Sequence, residues 1–250
     1  MKSFISLSLL AGMALASPMM DRAKLELQAR SAACAGNRFR ASKDGGFGNI
    51  IATTVSSSNW GGAAIVTSGV TKVSGTFTVP KPSIPFGGRT TTDYCGAAWV
   101  GIDGYSNSAL IQTGVLWCVE GTSYEYEAWY EYLPASLIAY SGFSVTSGNS
   151  VTVTVTKTSS TGGTTTISAN GKKSQGTSAE WIVEDFTSGS SLVPFANFGS
   201  VTFTGATAVI NGATVQASAD SSVTIVLESS FGSALTGTTI SGSSVAVVYE

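Results

Sequence analysis

Short extended runs broken by turn residues recur from Trp60 onward, and no segment there repeats apolar residues at helical spacing. Thr71–Val79 (TKVSGTFTV), Val151–Lys157 (VTVTVTK), Ser222–Leu227 (SVTIVL) and Ser244–Tyr249 (SVAVVY) alternate with a period of two. That period sends successive side chains to opposite faces of a strand, so each run can bury one face. Asn170-Gly171 and Asn211-Gly212 are the residue pairs that two-residue hairpins favour. The Gly/Ser/Thr stretch Thr158–Thr165 is expected to form a loop tip, since strands resume on both sides of it. Short strands at regular spacing around one core predict an all-β, antiparallel β-sandwich.

Chemistry is constrained by an absence. The 250 residues include no histidine. Ser-His-Asp and Cys-His systems need an imidazole to carry a proton, and most catalytic zinc sites need one as a ligand. Any catalysis must therefore come from carboxylates, amides, hydroxyls or thiols. In an exported chain this points to acidic surroundings, where an imidazole would be charged and of little use as a base.

The first residues pair Lys2 with an apolar run from Phe4 to Leu15, and Ala14-Leu15-Ala16 supplies a small-residue cleavage pattern. Residues 1–16 therefore read as a signal peptide, and the product is expected to be secreted to the extracellular space. No later stretch is apolar and long enough to span a bilayer, so no membrane association is expected. Residues 17–54 carry six basic and three acidic side chains, a net +3, whereas residues 55–250 carry six basic and twelve acidic, a net −6. A basic segment before an acidic domain reads as a propeptide that binds and inhibits its own domain at neutral pH and is released when carboxylates protonate. A tail with no inhibitory role has the same charge pattern. Cys34 lies in that segment, leaving Cys95 and Cys118 as the pair expected to form a disulfide in the exported domain. The acidic domain offers no basic patch for nucleic acid, and nothing demands more than a monomer.

Three segments stand out from the Ser/Thr background. Ala97–Gly114 places Trp99, Asp103 and Gln112 around a glycine-rich turn. In Tyr124–Pro134, Glu127, Trp129 and Glu131 alternate onto one strand face, with Ala128, Tyr130 and Tyr132 on the other. In Ala179–Phe186, Glu180, Ile182 and Glu184 share one face and Trp181, Val183 and Asp185 the opposite one. A desolvated Glu has a raised pKa and can exchange protons in catalysis. On periodicity alone, however, the ordinary readings come first: a solvent-facing Glu, an amide satisfied by backbone, and aromatics that belong to the core.

Taken in order, SNWGGAAI (Ser58–Ile65), GTFTVP (Gly75–Pro80), AAWVGIDG with IQTG, EAWYEYLP, AEWIVEDF and LVPFANF (Leu192–Phe198) resemble the fungal glutamic peptidases, the eqolisin family. The resemblance covers most of the chain after the basic segment. It implies a concanavalin-like or jelly-roll sandwich of two large antiparallel sheets with a concave substrate groove. It also implies a Gln/Glu catalytic pair that uses no metal and no cofactor. The family's Gln falls on Gln112, and its Glu, directly before Asp-Phe, falls on Glu184 rather than Glu180. Trp60, Trp99, Asp103, Trp129 and Glu131 match groove or supporting positions. The chain departs from its relatives at Leu116, where an Asp is common, and in a short loop after Phe186.

The implied activity is secreted acid endopeptidase cleavage of polypeptide substrates. Glu184 would act as general base and then acid, with Gln112 donating to the oxyanion. Two other readings use the same residues. A glycoside hydrolase would pair Glu127 with Glu131, or Glu180 with Glu184. A carbohydrate-binding sandwich would use Trp60, Trp99 and Trp129 as a stacking platform.

Overall fold

The alternating runs become strands in the computed structural model, which describes residues 40–41, 53–141, 143–159, 162–165, 167–168, 177–188 and 191–250. Ser222–Leu227 and Ser244–Tyr249 form strands with the bounds read from sequence, and Thr71–Val79 lies one residue off, at Val70–Thr78. No helix occurs among the described residues.

Two sheets form the sandwich. The first has nine strands in the order Arg40–Ala41, Thr53–Ser57, Ser222–Leu227, Trp60–Val66, Ser178–Glu184, Tyr94–Ile102, Ile111–Glu120, Ser123–Tyr132 and Ile138–Ala139. The second runs Ile167–Ser168, Gly162–Thr165, Ser150–Ser159, Val70–Thr78, Ser200–Ile210, Ser244–Tyr249 and Thr236–Ser241, with Ala213–Gln216 paired to Ser200–Ile210. Neighbours are antiparallel throughout except Thr53–Ser57, which lies parallel to Ser222–Leu227.

The core lies between the sheets. Val100, Val115, Trp117, Trp181 and Val183 of the first meet Val73, Phe77, Val155, Phe203 and Val247 of the second. The Trp181 indole also donates across the gap to the Ser74 carbonyl at 2.9 Å. The alternate residues of the first sheet form a second buried cluster on its outer face, including Trp60, Trp99, Leu116, Trp129 and Ile182. Tyr94–Ile102 and Ser178–Glu184 are consequently buried along their whole length. Strands covered on both faces lose the alternation in burial that one-sided strands keep.

Turn chemistry accounts for one hairpin. Asn211 and Gly212 take φ of 50° and 84° and join Ile210 to its partner Ala213, a geometry that asparagine and glycine tolerate. Asn170-Gly171 lies outside the described residues. The expected loop tip at Thr158–Thr165 is narrower than read: one strand runs to Ser159, another starts at Gly162, and Thr164 and Thr165 pair with Thr156 and Val155. Threonine suits the extended backbone, so the Ser/Thr content carries the strands further into this stretch. Cys95 and Cys118 are direct cross-strand partners and form the expected disulfide.

The signal segment and most of the basic segment lie outside the described residues. Arg40 and Ala41 pair with Ser56 and Val55 at the edge of the first sheet. The boundary read after Thr54 falls inside the Thr53–Ser57 strand.

Candidate active site

Register assembles the site on the outer face of the first sheet. Trp60 pairs with Glu184, Glu184 with Ala97, Ala97 with Leu116, and Leu116 with Glu127. Two residues along, Gly62, Ile182, Trp99, Gly114 and Trp129 form the next cross-strand row. Two further on come Ala64, Glu180, Gly101, Gln112 and Glu131. Side chains in these three rows share one face because pairing keeps parity across a sheet. Gln112 and Glu184 therefore face the same way, two strands apart and offset by four residues, with Trp99 in the strand between them.

Glu184 is buried and held by three neutral N–H donors. Oε1 accepts from the Trp60 indole at 3.1 Å and from Asn59 Nδ2 at 3.3 Å, and Oε2 accepts from the Trp99 indole at 2.9 Å. The two indoles meet edge to face, 5.0 Å between centroids and 78° between planes, so each restrains the other. Asn59 is set by the turn before it: Ser57 Oγ accepts from Trp60 N at 3.2 Å, and Asp185 N donates to the Asn59 carbonyl at 2.9 Å.

Gln112 is held from its other side. Its Nε2 donates to Glu131 Oε2 at 2.7 Å, across the strand pair that makes the two residues neighbours. An amide nitrogen carries two protons, so one N–H remains for a further acceptor. Gln112 Oε1 is buried without a hydrogen-bond partner among the described residues.

Asp103 organises the turn between two site strands. It takes φ of 74°, a left-handed conformation uncommon outside glycine, followed by Gly104 at 99°. Its Oδ1 accepts from Thr177 N at 2.8 Å, Thr177 Oγ1 at 2.8 Å and Asn107 Nδ2 at 3.0 Å. These bonds tie the start of the Ser178–Glu184 strand to the Ile102 end of its neighbour. Trp129 packs into the same face, fully buried, and its indole nitrogen has no hydrogen-bond partner among the described residues. Trp60, Trp99 and Trp129 are at most 2 % exposed, so they present no open stacking platform of the kind a sugar-binding module uses.

Glu180 is fully buried, and neither of its oxygens has a hydrogen-bond partner among the described residues. Burial pushes its carboxyl well above the ordinary carboxylate range. The Ser178 hydroxyl lies near enough to offset part of this without completing a hydrogen bond, and Asp103 pushes it further up. Among the described residues no three His, Cys, Asp or Glu side chains are grouped as metal ligands.

The Peptidase A4 family signature matches residues 58–249. The chain belongs to this peptidase family. Over 97 % of its length the peptidase is 39 % identical to aspergillopepsin-2 of Aspergillus niger, covering 96 % of that protein. It is 36 % identical to scytalidopepsin B of Scytalidium lignicola, with 77 % of this chain and 78 % of that one aligned. A crystal structure of scytalido-glutamic peptidase with a transition state analog inhibitor superposes at a TM-score of 0.66, with 33 % identity over 77 % of the peptidase and 98 % of that chain. The aspergilloglutamic peptidase of Aspergillus niger superposes at 0.57, with 44 % identity over 63 % and 99 % of the two chains. The peptidase is thus a hydrolase of the glutamic type built on the eqolisin sandwich.

Read from sequence, Asn59 has no role, and Glu180 only that of a glycosidase carboxylate beside Glu184. Asn59 was passed over although it stands directly before Trp60 in the SNWGG segment. Strand parity puts Glu180 and Glu184 on one face and cannot separate them; the resemblance favours Glu184, which directly precedes Asp-Phe. The signal for Glu180 is Gly101, which leaves space beside it on the neighbouring strand.

Proposed function

We propose that the chain is a secreted acid endopeptidase, made with a signal peptide and an inhibitory basic propeptide, in which Glu184 and Gln112 carry out hydrolysis of polypeptides. The observation that carries this reading is the Glu184 carboxylate, buried and aimed by three N–H donors on the face that also holds Gln112. Glu184 takes a proton from the attacking water and later delivers it to the leaving amine. Gln112 donates its second Nε2 proton to the oxyanion, while Glu131 holds the first. The relatives solved with a transition state analog and with a tripeptide support a peptide substrate.

Acid operation has support in the composition of the site. The strands Trp60–Val66, Tyr94–Ile102, Ile111–Glu120, Ser123–Tyr132 and Ser178–Glu184 contain several Glu and no Lys, Arg or His. With no cation among them, their carboxylates are best accommodated where some carry protons.

The test is cleavage of an unfolded protein from pH 2 to pH 7 by the processed enzyme, with chelator present, beside Glu184→Gln. Acidic cleavage that the variant lacks is the expected result. A correctly folded, processed wild type that cleaves nothing at any pH overturns the reading.

A further inference from the structure

Glu180 and Gln112 occupy one cross-strand row, with only Gly101 between them. Gly101 has no side chain, and a Cβ built there would lie 3.2 Å from Glu180 Oε2, so the carboxyl reaches over the strand that separates it from Gln112, beside the Trp99 and Leu110 side chains. Both Glu180 oxygens and Gln112 Oε1 are buried and unpartnered among the described residues. Buried acceptors left without a donor are costly, and the donor nearest to Glu180, the Ser178 hydroxyl, completes no hydrogen bond to it. A proton on Glu180 converts one acceptor into a donor.

We propose that Glu180 is a positioning residue of the reaction: as the neutral acid it donates to Gln112 Oε1, directly or through one bridging water, and so fixes the direction of the Gln112 amide. Glu131 accepts from Nε2 on the opposite side, so both ends of the amide are held and the remaining N–H points to the oxyanion. The proposal rests on the reading of Gln112 as the oxyanion donor.

The surroundings favour the neutral acid. The groups that face this row are Asp103 on the adjoining turn, Glu184 on the same strand, Glu131 on the Ser123–Tyr132 strand, and Tyr105 beyond Asp103, while Tyr132 lies on the opposite face of the sheet. Tyr132 keeps its proton, because burial and then Asp103 push its phenol up to about 12. Burial pushes the Tyr105 phenol up as well. The Trp60–Val66 strand contributes Ala64 opposite Glu180, which does not titrate. When Glu180 loses its proton, an anion faces the Gln112 oxygen, the amide turns, and the oxyanion donor is lost.

Glu180→Gln places a permanent donor there that does not titrate. It is expected to retain low-pH kcat within about tenfold and to carry activity to higher pH than wild type. Glu180→Leu has no donor and is expected to lower kcat roughly ten- to a hundredfold with KM little changed. Infrared difference spectra of wild type just above pH 4.5 are expected to show a protonated carboxyl band that Glu180→Gln lacks and that fades over the pH range where wild-type activity falls. A pH profile of Glu180→Gln that superimposes on wild type overturns the proposal, as does a wild type whose activity falls with pH without loss of a protonated carboxyl band. If folded Glu180→Gln is inactive while Glu184→Gln still cleaves, Glu180 is itself the base and the proposal also falls. An inactive wild type instead sinks the peptidase reading, so the two failures are distinguishable.

Discussion

Glu184 is oriented by what donates to it, and the donors are indoles. A Trp99→Phe substitution keeps an aromatic ring in the buried row but deletes the N–H that reaches Oε2 at 2.9 Å. A hydrogen bond to a charged group is worth about 1.5–3 kcal/mol, so kcat/KM should fall roughly ten- to a hundredfold. Steady-state kinetics beside urea denaturation check this, and an unchanged rate in a folded variant would show that Trp60 and Asn59 suffice. Residues at this scale were partly legible. Gln112 and Glu184 emerged because short motifs surround them, whereas Asn59 did not. Its role depends on a contact 125 residues away in sequence, which no local pattern encodes.

Strand pairing sets the stability of the site's frame. Cys95 and Cys118 close a loop of 23 residues on the two strands that carry Trp99 and Gln112. Replacing both by Ala should cost about 3 kcal/mol by the chain-entropy argument, read as a lower denaturation midpoint. The Thr53–Ser57 strand yields a prediction about processing. Five of its residues pair in parallel with Ser222–Leu227, Val55 to Ser57 are buried, and Ser57 shapes the turn that presents Asn59 and Trp60. Cleavage within or after this strand would uncover the Ser222–Leu227 edge and loosen the turn. The processed enzyme should therefore begin at or before Thr53, which N-terminal sequencing or intact mass will show. A start after Ser57 would contradict this.

Across the whole molecule, the buried Glu180 makes stability depend on pH. Its folded value lies above the unfolded one, so below the ordinary value of 4.5 both states hold the proton. As pH rises past that point the unfolded chain releases its proton first, and the folded state loses ground. The slope approaches about 1.4 kcal/mol per pH unit for one proton. Thermal melts between pH 4 and pH 7 should show wild type losing stability as pH rises, with the loss reduced in Glu180→Gln. Equal slopes in the two proteins would refute a protonated Glu180. The sequence by itself determined the all-β class, the positions of six strands, the Asn211-Gly212 hairpin and the parity that puts Glu180 and Glu184 on one face. These follow from local propensity and a period of two, which neighbouring residues encode. Only the tertiary structure decided which Glu meets the indoles and which shares a cross-strand row with Gly101 and Gln112. Parity is blind to register, and register is set by pairing between strands far apart in the chain.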